Sequence, residues 1–171
     1  MNERTGIVTL RGKPLTLVGN EIAVGDKAPN VEAIDNDLSP VKLSSFRGKV
    51  LVITTVPSLD TPVCDMETRR FNDEAQQLSP DIVILTISMD LPFAQKRWCG
   101  SAEVTRVQTL SDHRTALFGK KYGVLIKELR LLARAVFVVD RHGIVRYVEL
   151  VKEIANEPNY DAVLKAVIEL V

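Results

Sequence analysis

Val50-Leu51-Val52-Ile53-Thr54-Thr55-Val56-Pro57-Ser58-Leu59-Asp60-Thr61-Pro62-Val63-Cys64 decides the reading of this chain. Residues 50–56 form an apolar, β-branched run with no alternation, the pattern of a strand covered on both faces. A strand of that kind belongs to a parallel or mixed sheet sandwiched by helices. Residues 57–61 are turn formers, and Pro62 suits the first position of a helix, where its missing N–H costs nothing. Thr61 is then the N-cap, and Cys64 lies in the first turn. The stretch therefore predicts a strand, a tight loop and a helix that carries a cysteine near its amino terminus.

The same rhythm continues outward. Asp81–Ser88 predicts a second buried strand, Phe93–Cys99 a short helix ended by Gly100, Val107–Leu110 a strand, and Thr115–Tyr122 a helix stopped by Gly123. Ala135–Val139 and Ile144–Val151 flank the turn Asp140-Arg141-His142-Gly143, and Tyr160–Val171 closes the chain as an amphipathic helix with Tyr160, Val163, Leu164, Val167 and Ile168 on one side. Upstream, Gly6–Leu17 reads as a hairpin about Arg11-Gly12-Lys13-Pro14, followed by a short β segment near Val31–Ile34 and a turn at Asn36-Asp37 before Val41-Lys42-Leu43. Within the helix Pro62–Leu78, the predicted inner stripe is Val63, Met66, Phe71, Ala75 and Leu78. Alternating strands and helices with a late hairpin predict an α/β, thioredoxin-like fold: a central mixed sheet flanked by helices, with an amino-terminal β-hairpin extension.

Composition narrows the function. The 171 residues suit one domain (residues 1–171), and neither a linker nor an internal repeat divides them. Twenty-two basic residues balance 22 acidic ones, which gives no charge-driven case for nucleic acid or a membrane surface. The amino terminus lacks the apolar core of a signal peptide, and no apolar stretch is long enough to span a bilayer, so a soluble, cytoplasmic protein is expected. His113 and His142 fall in separate loops, and Asp35-Asn36-Asp37 reads as a turn without the rest of a calcium loop. No metal site is expected.

There are two cysteines, Cys64 and Cys99. A helix amino terminus offers free N–H groups and the positive end of the helix dipole, which favour a thiolate over a thiol. Thr61, one turn away, can direct its hydroxyl at the sulfur or at a bound oxygen. Buried cysteines are more often inert packing, so local pattern leaves both readings of Cys64 open. Cys99, between Trp98 and Gly100, is either a packed thiol or a partner that closes a disulfide on an oxidised Cys64. Arg134, just before the Ala135–Val139 strand, is either a surface side chain or a cation that holds an anionic sulfur. A C-x-x-C dithiol is absent, because Cys64-Asp65-Met66-Glu67 lacks the second cysteine.

Pro57, Thr61 and Cys64 match the P-x-x-x-T-x-x-C motif of peroxiredoxins, and PSLDTPVCDMETRRFN (57–72) closely resembles their thiol peroxidase subfamily, of the atypical two-cysteine type. RWCG around Cys99, TLSDHR, FGKKYGVLI, and LLARAVFVVD around Arg134 extend the resemblance over essentially the whole chain. Trp98 stands where many relatives carry Phe. The resemblance implies Cys64 as peroxidatic nucleophile, Cys99 as resolving cysteine in an intramolecular disulfide, Thr61 and Arg134 as activating residues, and Pro57 as a shield of the thiolate. It further implies reduction of hydrogen peroxide and organic hydroperoxides, thioredoxin as reductant, a homodimer, and no cofactor. A redox-sensing or chaperone-like binding protein that uses the same disulfide is the alternative.

Overall fold

The structure, a computed structural model, describes residues 1–171. In chain order the strands are β1 (Glu3–Leu10), β2 (Lys13–Val18), β3 (Glu32–Ile34), β4 (Pro40–Lys42), β5 (Val50–Thr55), β6 (Ile82–Ser88), β7 (Val107–Ser111), β8 (Leu125–Ile126), β9 (Leu131–Leu132), β10 (Ala135–Val139) and β11 (Val145–Leu150). The α-helices are α1 (Pro62–Ala75), α2 (Pro92–Ala102), α3 (Leu117–Lys121) and α4 (Tyr160–Ile168), with a 3₁₀ turn at Leu43–Phe46.

Strand β5 is buried at every residue, as its unbroken apolar run requires. It lies near the middle of a seven-stranded mixed sheet of order β11-β10-β5-β6-β7-β3-β4. β5, β6 and β7 run parallel, and β10 runs antiparallel to β5 on the other side. Alternate residues serve the two faces. Val50 and Val52 of β5, with Val136 and Val138 of β10, pack with Phe71 and Ala75 of α1 and with Val163 and Val167 of α4. Leu51, Ile53 and Phe137 point to the opposite face, among Phe118 and Tyr122. Each such side chain contributes roughly 1.5–3 kcal/mol on removal from water. The thioredoxin-like layering follows from this double coverage.

The amino-terminal hairpin is present, but it does not stand alone. β1 and β2 join β8 and β9 in a second, four-stranded sheet of order β1-β2-β8-β9. Leu15, Leu17, Ile126 and Leu132 of this sheet share the core with Ile53 and Phe137. Two-residue strands such as β8 and β9 carry no readable periodicity, so the sequence pattern missed them. Gly123 ends the α3 segment with φ +69, where a Cβ would also collide with the Asn20 carbonyl.

Several local expectations are corrected. Gly100 does not end the second helix: α2 continues through it to Ala102, and Glu103 caps it in the left-handed conformation at φ 56. α1 stops at Ala75, short of Leu78, and α4 stops at Ile168, which is exposed. The inner face of α1 is Cys64, Glu67, Thr68, Phe71, Asn72 and Ala75, whereas Met66 is exposed. Phe71 and Ala75 lie on the inner face as the stripe predicted, but hydrophobicity added Met66 and missed Glu67, Thr68 and Asn72, because here polar side chains are buried against dedicated partners.

Candidate functional site

Cys64 reaches its position through three features of the chain. Pro62 occupies the first helical position, and the first backbone bond of α1 runs from the Asp65 N–H to the Thr61 carbonyl at 2.9 Å. The Val63 and Cys64 N–H groups therefore lie ahead of the first helical bond, at the positive end of the helix dipole. Thr61 has N-cap backbone geometry, but its hydroxyl does not cap: it donates to the Ser58 carbonyl at 2.9 Å. That leaves the N–H groups of the first turn without a side-chain acceptor. The loop itself is bound to the end of β6 through Asp90, which accepts from the Ser58 hydroxyl at 2.7 Å, the Leu59 N–H at 2.9 Å and the Ser88 hydroxyl at 2.8 Å.

Arg134 arrives from the other side of the sheet. Ala135 pairs with Thr55 across β10 and β5, so the residue that enters β10 stands beside the residue that leaves β5. The Thr55 hydroxyl donates to the Ala133 carbonyl at 2.7 Å, which secures that juxtaposition. The surface reading of Arg134 fails, since the side chain is 2% exposed. Each of its nitrogens has a partner: Nη2 donates to Cys64 Sγ at 3.3 Å, Nη1 to Glu67 Oε1 at 3.1 Å, and Nε to the Ile154 carbonyl at 2.9 Å. Ile154 is in turn tied to β1 by its N–H to the Thr9 carbonyl at 2.9 Å. The amino-terminal hairpin thus braces the cation that faces the sulfur.

Glu67 is the residue that sequence reasoning missed. It follows Cys64 by three positions and so shares its helix face, a spacing that was available to find it. It is fully buried, and Oε2 has no hydrogen-bond partner. Burial pushes its carboxyl up from 4.5 to about 7, against the pull of Arg134; Glu149 and Glu157 push in the same direction as burial. For Arg134, burial opposes the charge, but Glu67 and Cys64 outweigh it and raise the guanidinium further. The sign of the stability effect follows: in the window from about 4.5 to about 7 the native state keeps a proton that the unfolded chain has released. This contribution to stability is whole below that window and is lost as pH rises through it. Glu67→Gln is expected to flatten the fall in stability across the window, as measured by urea unfolding at a series of pH values. An unchanged slope would show that Glu67 is ionised throughout.

Arg134, Pro57, Thr61, Leu129 and Leu131 line one cavity of about 370 Å³ whose walls are mainly apolar. Arg134 links this space to the sulfur, which is itself fully buried. Pro57 is buried at the start of the loop. The structure thus brings Pro57, Thr61, Cys64 and Arg134 to one place. It does not bring Cys99 there. Both cysteines are unpaired, and Cys99 Sγ lies 3.5 Å from the Thr109 hydroxyl, which donates to Asn36 Oδ1 at 2.9 Å. Trp98, the residue before Cys99 in α2, reaches the cluster that holds Cys64. Its ring packs on Cys64, Val56 and Leu59, and its indole N–H donates to Asp65 Oδ1 at 2.8 Å. No cluster of three or more His, Cys, Asp or Glu side chains is arranged to hold a metal ion, and no helix is long and apolar enough to cross a membrane.

Residues 23–164 match the Redoxin family model. Curated relatives include a thiol peroxidase of Halalkalibacterium halodurans, 56% identical over 159 residues, 93% of this chain and 95% of the relative. A thiol peroxidase of Bacillus subtilis is 52% identical over 164 residues, covering 96% of this chain and 98% of the relative. Among solved structures, a peroxiredoxin-like protein from Aquifex aeolicus superposes with a TM-score of 0.91 at 48% identity, over 98% of both chains. A thiol peroxidase from Chromobacterium violaceum, at 24% identity and a TM-score of 0.84 over 95% of each chain, shares the fold. A helix-terminal cysteine paired with a buried arginine, on a Redoxin scaffold with relatives of this identity, places the chain in the Redoxin family as a thiol-dependent peroxidase.

Proposed function

We propose that residues 1–171 work as one unit in which Cys64 is the nucleophile that reduces hydrogen peroxide and organic hydroperoxides. The observation that carries this reading is the 3.3 Å contact of Arg134 Nη2 with the buried Cys64 sulfur. A guanidinium fixed by the Glu67 carboxyl group and the Ile154 carbonyl favours thiolate over thiol, and it loses no ordering entropy when substrate arrives. The thiolate attacks the terminal oxygen of ROOH; the S–O bond forms as the O–O bond breaks, and RO⁻ leaves as ROH after taking a proton. The Cys64 N–H and Arg134 stabilise the charge spread over both oxygens. Pro57 keeps water from the sulfur, and Thr61, a residue of the cavity wall, orients the peroxide. None of these steps calls on a metal or organic cofactor.

Cys99 then attacks the sulfenic acid and releases water, leaving a disulfide that a thioredoxin-type dithiol reduces. Trp98 and the carboxyl half of α2 must come away first. That half is well suited to local unfolding, because Pro92 and Gln95, both in the amino half, are the only buried residues of α2. A homodimer is the assembly and the cytoplasm the compartment that accord with this chemistry. One equivalent of hydroperoxide followed by mass spectrometry is expected to yield a Cys64–Cys99 bridge within one chain. Cys99→Ser is expected to keep the first peroxide burst and lose thioredoxin-supported turnover. A bridge between chains would overturn the role of Cys99.

A further inference from the structure

We infer that Glu67 holds a proton while Cys64 is a thiolate and gives it up as the sulfur is oxidised, so that Arg134 always faces one buried anion and never two. The inference rests on the reading of Cys64 as the nucleophile, and it makes Glu67 a positioning and proton-balancing residue rather than a catalytic one.

The geometry sets the problem. One guanidinium donates to both potential anions, Nη2 to Cys64 Sγ and Nη1 to Glu67 Oε1, and its third nitrogen, Nε, donates to the Ile154 carbonyl. Cys64, Glu67 and Arg134 are all essentially buried, at 0%, 0% and 2% exposure. The second carboxyl oxygen of Glu67 has no hydrogen-bond partner at all. A charged carboxylate with one bare oxygen is far more costly to bury than a neutral carboxyl in the same place. The other groups that face Glu67 do not help. From α1, Arg70 is paired with Glu74 and lies over the Tyr160 ring. From α4, the Tyr160 hydroxyl donates to Glu157 rather than to Glu67. From β11 and the segment after it come Glu149 and Glu157, both of which disfavour a further negative charge. Arg134 is therefore the single cation in contact with two acids. Two acids that share one cation titrate as a coupled pair, and ionising the second costs more than ionising the first.

The chemistry then balances inside the site. Before reaction the trio carries Arg⁺, S⁻ and COOH. Attack leaves the hydroxyl of ROOH on sulfur and expels RO⁻, and the sulfur is oxidised by two electrons as the peroxide is reduced. With the thiolate charge gone, Glu67 faces an unopposed guanidinium and ionises. The released proton matches the one that RO⁻ takes up to become ROH, and the trio ends as Arg⁺, S–OH and COO⁻. Net charge in the buried site is the same before and after, so its surroundings need not reorganise.

The test uses the full chain with Cys99→Ser, which halts at the sulfenic acid, and follows oxidation through the single tryptophan, Trp98, packed on Cys64. Slightly below neutral pH, the infrared difference spectrum on adding hydrogen peroxide is expected to lose a protonated-carboxyl band and gain a carboxylate band. That measurement needs no substitution at Glu67. In Glu67→Gln/Cys99→Ser the pair of bands is expected to be missing. A pH indicator in weak buffer should then record one proton drawn from solvent per sulfur oxidised, against none in the parent. A reduced protein without the carboxyl band, or a Gln variant that draws no proton, would overturn the inference while leaving peroxide reduction intact. Failure of Cys64 to consume peroxide in any variant would instead sink the underlying reading, and this inference with it.

Discussion

Serine at position 64 is expected to lower peroxide consumption by at least about a thousandfold, to the rate of the buffer alone. The hydroxyl is nearly isosteric with the thiol and, at a fully buried site, keeps a hydrogen bond from Arg134, so the fold is retained. What disappears is the nucleophile: a serine hydroxyl does not ionise near neutral pH, and its oxygen cannot accept the peroxide oxygen as sulfur does. Two measurements together make the case. Peroxide loss followed with excess dithiol reports activity, and an unchanged unfolding midpoint in urea reports the fold. Substantial residual turnover in a folded Cys64→Ser protein would show that the chemistry lies elsewhere.

Arg134 carries the second large effect, and it divides into two parts that can be measured apart. Arg134→Met removes the donor to the sulfur, and the burst with peroxide is expected to slow by roughly 10²–10³-fold, the usual cost of losing one preorganised charge-stabilising donor. The same change leaves Glu67 buried without its cation. With Glu67 already protonated, the loss is that of a buried hydrogen bond from a charged donor and leaves the carboxyl unpartnered, a cost of about 1–3 kcal/mol. Arg134→Met/Glu67→Leu replaces both partners by apolar side chains and is expected to regain most of that stability while the rate stays low. Arg134→Lys separates charge from shape: one ammonium cannot serve Cys64, Glu67 and the Ile154 carbonyl together, so the rate falls although the charge remains. If the double variant recovered the rate as well, Arg134 would be a structural residue only.

Much of the frame was legible in the chain. The unbroken apolar run of β5 and the Thr61-Pro62 helix start determine a buried strand that feeds a helix with Cys64 in its first turn, because both signals are local. The hairpins were legible for the same reason, through Arg11-Gly12 and Asp140-Arg141-His142-Gly143. Signals that depended on a neighbour were misread. Gly100 looked like a helix stop, yet α2 runs through it and is ended by Glu103. Met66 looked like an inner residue, yet the inner face of α1 belongs to Glu67, Thr68 and Asn72. Hydrophobic periodicity cannot detect a buried polar residue whose partner comes from a distant segment.

The site divides along the same line. The sequence by itself determined that Cys64 sits at a helix amino terminus, and the motif through Pro57 and Thr61 pointed to peroxide chemistry. Only the tertiary structure decided what surrounds the sulfur. Antiparallel pairing of β10 with β5 sets Arg134 beside Cys64, its Nε donates to the Ile154 carbonyl and so ties it to the amino-terminal hairpin, and Glu67 competes for the same guanidinium. The Thr61 hydroxyl, expected to face the sulfur or a bound oxygen, donates to the Ser58 carbonyl, and Cys99 is held away on Thr109. The physical reason is range: backbone preference and capping act over a few residues, whereas the balance of charge at a buried sulfur is set by whichever side chains the folded sheet brings within hydrogen-bonding distance.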